Sequence, residues 1–248
     1  MNLALATQIS SCLSVSGLTK SFGGLTALRD VSFEVGEHSI FGIIGPNGAG
    51  KTTLFSCLSG LLGPNAGSIM FHGVNVAGSS PARVCRQGIA RTFQIVRPFH
   101  GMTVLENVMV GAFFHHRRHT EARQAAQAVL ERLGMAHLSA RDASSLGVAD
   151  LRALEVARCL ATEPKLLLLD EMLAGLTRPE IDRMCRKIHD LRDGGMTVMV
   201  IEHSVPAISA LCDSVLVLNF GEVLAQGPTD QVLRDPAVEA AYLGKVHQ

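Results

Sequence analysis

Residues Gly45 to Thr52 read Gly-Pro-Asn-Gly-Ala-Gly-Lys-Thr, a complete G-x-x-x-x-G-K-[ST] pattern. It follows the apolar run Ser39 to Ile44 and leads into Leu54 to Leu58. Strand, glycine-rich turn and helix start, in that order, build a phosphate cradle. The glycines let backbone N–H groups turn inward around a polyphosphate, and the helix adds the positive end of its dipole. Lys51 is then placed to neutralise the outer phosphates and the Thr52 hydroxyl to ligate magnesium. The expectation is nucleoside triphosphate binding.

Other chemistry-bearing residues stand at the ends of apolar runs. Leu166 to Leu169 reads as a buried strand and delivers Asp170 and Glu171 to its carboxyl end, where ligands sit in open α/β sheets. An aspartate there can hold magnesium, and the adjacent glutamate can serve as general base toward an attacking water. Acids after a strand also mark ordinary helix starts; a phosphate loop in the same chain favours the functional reading. A second run, Thr197 to Glu202, ends at His203, which can donate a hydrogen bond to a terminal phosphate. Gln94, in Arg91-Thr-Phe-Gln94, follows a short strand at Ile89 to Thr92, and its amide could touch both magnesium and water. The tract His115-His-Arg-Arg-His119 reads as a solvated stretch rather than a metal site, because arginines interleave it and no carboxylate or cysteine is adjacent.

The elements that must position these residues form an α/β fold: a P-loop NTPase core with a parallel central sheet, an N-terminal antiparallel β subdomain and an inserted α-helical subdomain. Leu13 to Leu18 and Val31 to Val35 are β-rich around a Gly23-Gly24 turn, and Ser68 to Phe71 is strand-like after the Pro64 to Gly67 turn. Helical spacing of Val104, Leu105, Val108 and Met109, then of Ala126, Val129, Leu130 and Leu133, marks the insertion at about 94–161. Beyond it, Leu166 to Asp170, Thr197 to Glu202 and Ser214 to Leu218 alternate with helices, as parallel strands covered on both faces do. One domain over 11–248, preceded by a tail at 1–10, accounts for a chain of 248 residues.

Bulk properties narrow the function classes. The 22 Lys and Arg balance 22 Asp and Glu, without the basic excess of a dedicated nucleic-acid binder. The six cysteines lack paired or metal-ligand spacing, which points to a reducing compartment with neither disulfide nor zinc. The longest apolar runs have the length of strands rather than membrane spans, and residues 1–10 lack a secretory pattern, so a cytoplasmic protein is expected.

Together these segments resemble the nucleotide-binding subunit of an ABC transporter, over nearly the whole chain. The subgroup that energises uptake of branched-chain amino acids, with relatives for urea and amides, is the most similar. Phe22-Gly-Gly-Leu25, Gly45 to Thr53, Arg91 to Gln94, Leu166 to Glu171, Ile201 to His203 and the ending Ala241 to Gly244 carry that placement. The resemblance implies ATP and Mg2+ as ligands. Phe22 would stack on adenine; Gly45, Pro46, Asn47, Gly48, Ala49, Gly50, Lys51, Thr52 and Thr53 would hold the phosphates. Thr52, Gln94 and Asp170 would serve the metal, with Glu171 as base, His203 as switch and Gln94 as sensor. It further implies a second ATPase subunit, two membrane permease subunits, a periplasmic or extracellular solute-binding protein, and a peripheral position on the cytoplasmic face of the inner membrane. No nucleic-acid partner is implied.

One segment departs from the family pattern. Where the family carries Leu-Ser-Gly-Gly-Gln, which closes over ATP held by the opposite subunit, this chain has Leu146, Gly147, Val148, Ala149 and Asp150. The serine hydroxyl is gone and a negative charge stands near where phosphate would lie, while the helix dipole remains. Met172 replaces the usual proline after the acidic pair, and Thr177 an aspartate or asparagine. In a head-to-tail dimer the altered Gly147 to Asp150 segment weakens the partner's site, not this chain's own, which suggests a heterodimer with one strong and one weak hydrolytic site. Two alternatives are a soluble, non-transport ABC ATPase and an ATP-binding regulatory subunit.

Overall fold

The computed structural model describes residues 11–93 and 98–243. In chain order its elements are β1 (Ser11–Phe22), β2 (Leu25–Gly36), β3 (Ile40–Ile44), α1 (Lys51–Leu58), β4 (Ala66–Phe71), β5 (Val74–Asn75), α2 (Pro81–Gln87), β6 (Ile89–Arg91), α3 (Val104–Ala112), α4 (His119–Arg132) and α5 (Val148–Leu160). They continue with β7 (Leu166–Asp170), α6 (Arg178–Asp193), β8 (Thr197–Ile201), α7 (Val205–Leu211), β9 (Ser214–Asn219), β10 (Glu222–Pro228), α8 (Thr229–Val232) and α9 (Pro236–Leu243).

The larger sheet runs β10-β9-β3-β8-β7-β6. Its strands are parallel except β10, which returns antiparallel along β9. Every residue of β3, β7 and β8 is buried, and this is why those segments read as unbroken apolar runs. Successive side chains point to opposite faces, so each strand feeds two cores. Phe41, Leu168, Met199 and Leu216 pack against the antiparallel sheet and Phe55 of α1, whereas Ile40, Leu169, Val198 and Val215 pack against the helical layer.

The smaller sheet, β2-β1-β4-β5, is antiparallel. Its β1–β2 hairpin is longer than the sequence predicts, reaching Phe22 and Leu25 at the turn. Only the buried part, including Leu13, Leu18, Val31 and Val35, carries an apolar signature; the outer part is held by ladder pairing of exposed or half-buried residues.

The helical layer begins at α3, whose start is fixed by a reciprocal cap: the Thr103 hydroxyl accepts from the Glu106 N–H, and the Glu106 carboxylate accepts from the Thr103 N–H at 2.7 Å. Ala126, Leu130 and Leu133 are buried as the helical spacing predicts, and Val129 packs partly buried beside them. His115 and His116 are spent on local bonds, to the Thr162 carbonyl and the Glu163 carboxylate. Among the described residues no helix is long and apolar enough to cross a membrane.

Candidate functional site

β3 ends at Ile44, and the chain turns at once into the phosphate loop. Gly45 has φ 148°, and a Cβ there would lie 2.1 Å from the Leu218 carbonyl oxygen, so no side chain fits between loop and β9. Gly50, at φ 104°, is likewise closed in by the Ala27 carbonyl. The turn after β9 fixes the loop from outside: the Gly221 N–H donates to the Ala49 carbonyl at 3.0 Å, and the Gly221 carbonyl accepts from the Arg29 N–H at 2.8 Å. Helix α1 then starts at Lys51 with no side-chain cap and no acid in its first turn, leaving its positive end turned on the cavity. Lys51 is buried, and its Nζ donates to the carbonyls of Gly45 at 2.7 Å and Pro46 at 3.0 Å.

β7 and β8 run parallel beside β3, so their carboxyl ends open on the same side. Glu171 follows β7 at φ 50°, an unusual backbone state for a residue with a Cβ, and its N–H donates to the Ile201 carbonyl. Its Oε1 lies 2.7 Å from His203 Nε2, a distance at which the imidazole N–H donates to the carboxylate. Phe22, half exposed at the end of β1, carries the Lys20 ammonium over its ring at 5.1 Å. Phe22, Asn47 to Thr53, Glu171 and His203 line one cavity of about 790 Å³. The glycine cradle, an acid from β7's end and the imidazole from β8's end therefore meet.

Asp170 sits behind that surface, only 2% exposed. Its carboxylate pairs with Arg91 at 2.8 Å, and its N–H donates to the Thr92 hydroxyl. Gln94 lies outside the described residues. Leu146 to Asp150 take no part in lining this cavity. Gly147 instead caps the start of α5, with Val148 exposed and Asp150 in the first turn. Met172 is buried beside the acidic pair, and Thr177 caps α6 through the Glu180 carboxylate.

Three charged residues given no role by sequence reasoning are structural parts of the site. Arg91 is the first. Glu155, in α5, accepts from the Phe93 N–H at 2.6 Å, one residue before Gln94 in sequence, and burial raises its pKa. Glu202, next to His203, accepts from the Leu173 N–H, and burial raises its pKa too. A charged residue in a strand or amphipathic helix is ordinarily solvated, so the pattern offered no signal for their burial.

A phosphate loop, a base-like carboxylate and a histidine on adjacent strand ends are the architecture of a nucleotide hydrolase. Residues 28–174 match the family model described as "ABC transporter". The chain belongs to the ABC transporter ATP-binding family. As an ABC ATP-binding subunit it is 39% identical to the high-affinity branched-chain amino acid transport ATP-binding protein LivG of Escherichia coli K12, over 94% of this chain and 98% of the relative. It matches BraF of Pseudomonas aeruginosa, of the same description, at the same identity and coverage. The crystal structure of a nucleotide-free ATP-binding cassette from an ABC transporter superposes with a TM-score of 0.87 at 30% identity, covering 95% of this chain and 100% of that one. An ATP-binding cassette in its ADP conformation gives the same TM-score and identity over 95% and 99%. This ABC subunit is thus an α/β ATPase cassette that binds ATP.

Proposed function

We propose that this ABC subunit hydrolyses ATP to drive uptake of branched-chain amino acids or related small solutes such as urea and amides. Residues 11–248 form the working domain in this reading, with about 94–161 as its helical insertion. The joint lining of one cavity by the phosphate loop, Phe22, Glu171 and His203 carries it. Phe22 stacks on adenine, and the triphosphate lies along Gly45, Pro46, Asn47, Gly48, Ala49, Gly50, Lys51, Thr52 and Thr53. Lys51 then exchanges its two carbonyl acceptors for phosphate oxygens. Glu171 accepts a proton from the attacking water while His203 donates to the terminal phosphate.

A hydroxyl and a carboxylate are hard oxygen donors that suit Mg2+. Thr52 lines the cavity and the Asp170 carboxylate stands behind it at the end of β7; as hard oxygen donors the two would hold such an ion, with Gln94 as a third contributor. When bound, the ion neutralises charge developing on the phosphate oxygens.

The identity to LivG and BraF supports the solute class and the importer assembly. That assembly comprises two membrane permease subunits, a solute-binding protein and a second ATPase subunit, with this chain peripheral on the cytoplasmic face of the inner membrane. A permease segment docks in the apolar cavity of about 300 Å³ between α2, β6, α3 and α5, which Phe93, Val110 and Leu61 line with exposed apolar surface. The altered Leu146 to Asp150 segment faces the ATP held by the second subunit.

The test is Glu171→Gln in the assembled transporter. Turnover falls by about 10²- to 10⁴-fold while ATP binding persists. A variant hydrolysing at the wild-type rate overturns the assignment of the base and with it the proposed motor.

A further inference from the structure

We infer that Arg91 is a positioning residue for Asp170: it holds the carboxylate in the orientation from which a divalent cation is bound beside the phosphate loop. This rests on the proposed metal role of Asp170.

Arg91 is the last residue of β6, which lies next to β7 in parallel register. Its guanidinium reaches two elements at once. One nitrogen, Nη2, donates to Asp170 Oδ2 at 2.8 Å, and the other, Nη1, donates to the Ser56 hydroxyl at 3.0 Å and the Ser59 hydroxyl at 3.3 Å. Both hydroxyls are themselves fixed, donating to the carbonyls of Thr52 and Phe55. The helix that starts in the phosphate loop and the strand that ends in Asp170 are therefore joined through one planar fork.

The pair is buried, with side-chain exposure of 7% for Arg91 and 3% for Asp170. In this buried pair the guanidinium is a fixed positive partner that aims the Asp170 carboxylate. The guanidinium packs near the rings of Phe55 at 5.7 Å and Phe93 at 5.9 Å. Arg91 Nε has no hydrogen-bond partner among the described residues, whereas both Nη atoms are engaged, by Asp170 and by the two serines. Removing a partner that fixes a metal-binding side chain typically costs about 10–100-fold in metal affinity.

The experiment follows binding of a fluorescent ATP analogue to the full chain, with and without Mg2+, across a Mg2+ titration. Arg91→Met is expected to raise the half-saturating Mg2+ concentration about tenfold or more while Mg2+-free binding stays unchanged. Arg91→Lys keeps the charge but loses the fork, and is expected to fall between Arg91→Met and wild type. A folded Arg91→Met chain with an unchanged or lower Mg2+ requirement overturns the inference. Should Arg91→Met fail to fold, the double variant Ser56→Ala, Ser59→Ala removes the fork's other acceptors; a rise of about threefold is expected, and no rise overturns it. Asp170→Asn separates the two claims. Loss of the Mg2+ response there with a wild-type response in Arg91→Met defeats only the role of Arg91, whereas a wild-type response in Asp170→Asn defeats the role of Asp170.

Discussion

Glu171 is held at φ 50°, a conformation that costs a residue with a side chain about 1–3 kcal/mol. The cost is tolerated because the Ile201 carbonyl fixes its N–H and His203 fixes its carboxylate, which together aim an acid into the cavity. Gly147 is the opposite case, a residue whose surroundings ask for nothing. Its φ of −72° and ψ of 169° suit any residue, and a Cβ there would meet no atom within 4 Å. Gly147→Ser therefore fits without strain and adds a helix cap worth about 0.3 kcal/mol over glycine. If α5 faces the second subunit's ATP as proposed, hydrolysis there should rise roughly threefold to tenfold, measured as turnover of the assembled transporter. An unchanged rate would mean that the backbone N–H groups of α5 suffice. Lys51, Glu171 and His203 were legible in the sequence because motif and strand end specify them. Arg91, Glu155 and Glu202 were not, since only the fold reveals that their charges are buried.

At the scale of elements, α5 and the segment after β6 are tied by Glu155, whose Oε1 accepts from the Phe93 N–H while Oε2 is buried with no partner among the described residues. Burial raises the Glu155 pKa above its ordinary 4.5, so the native chain holds this proton more tightly than the unfolded chain. Stability from this group is then greatest below the ordinary value, falls as pH climbs through the raised one, and is level beyond. Glu155→Gln should abolish that component of the slope, seen as a Tm that declines less than wild type as pH rises from about 4 to 7. The elements themselves were readable to different degrees. β3, β7, β8 and β9 announced themselves through apolar runs, because both their faces are covered. The outer hairpin of β1 and β2 did not, since bulged pairing holds residues that stay half in water. β10 gave no signal either: it is an edge strand with no buried residue.

The whole molecule is two cores divided by one sheet, and α1 is the element that links the nucleotide to one of them. Phe55, fully buried between the sheets, anchors α1 four residues after Lys51. Phe55→Ala should cost about 3–5 kcal/mol in urea unfolding and should also weaken ATP binding, because the start of α1 then loses its support. Retained affinity in a destabilised but folded variant would show that the loop is held by β9 alone. The grip of Gly221 on Ala49 bears on synthesis. Both neighbours of β3, namely β8 and β9, and the turn that clasps the loop follow the phosphate motif by about 150 residues or more. A nascent polypeptide therefore carries its complete phosphate motif long before that loop can be held for ATP, and nucleotide can rescue the subunit from misfolding only once β8, β9 and the Gly221 turn have been synthesised.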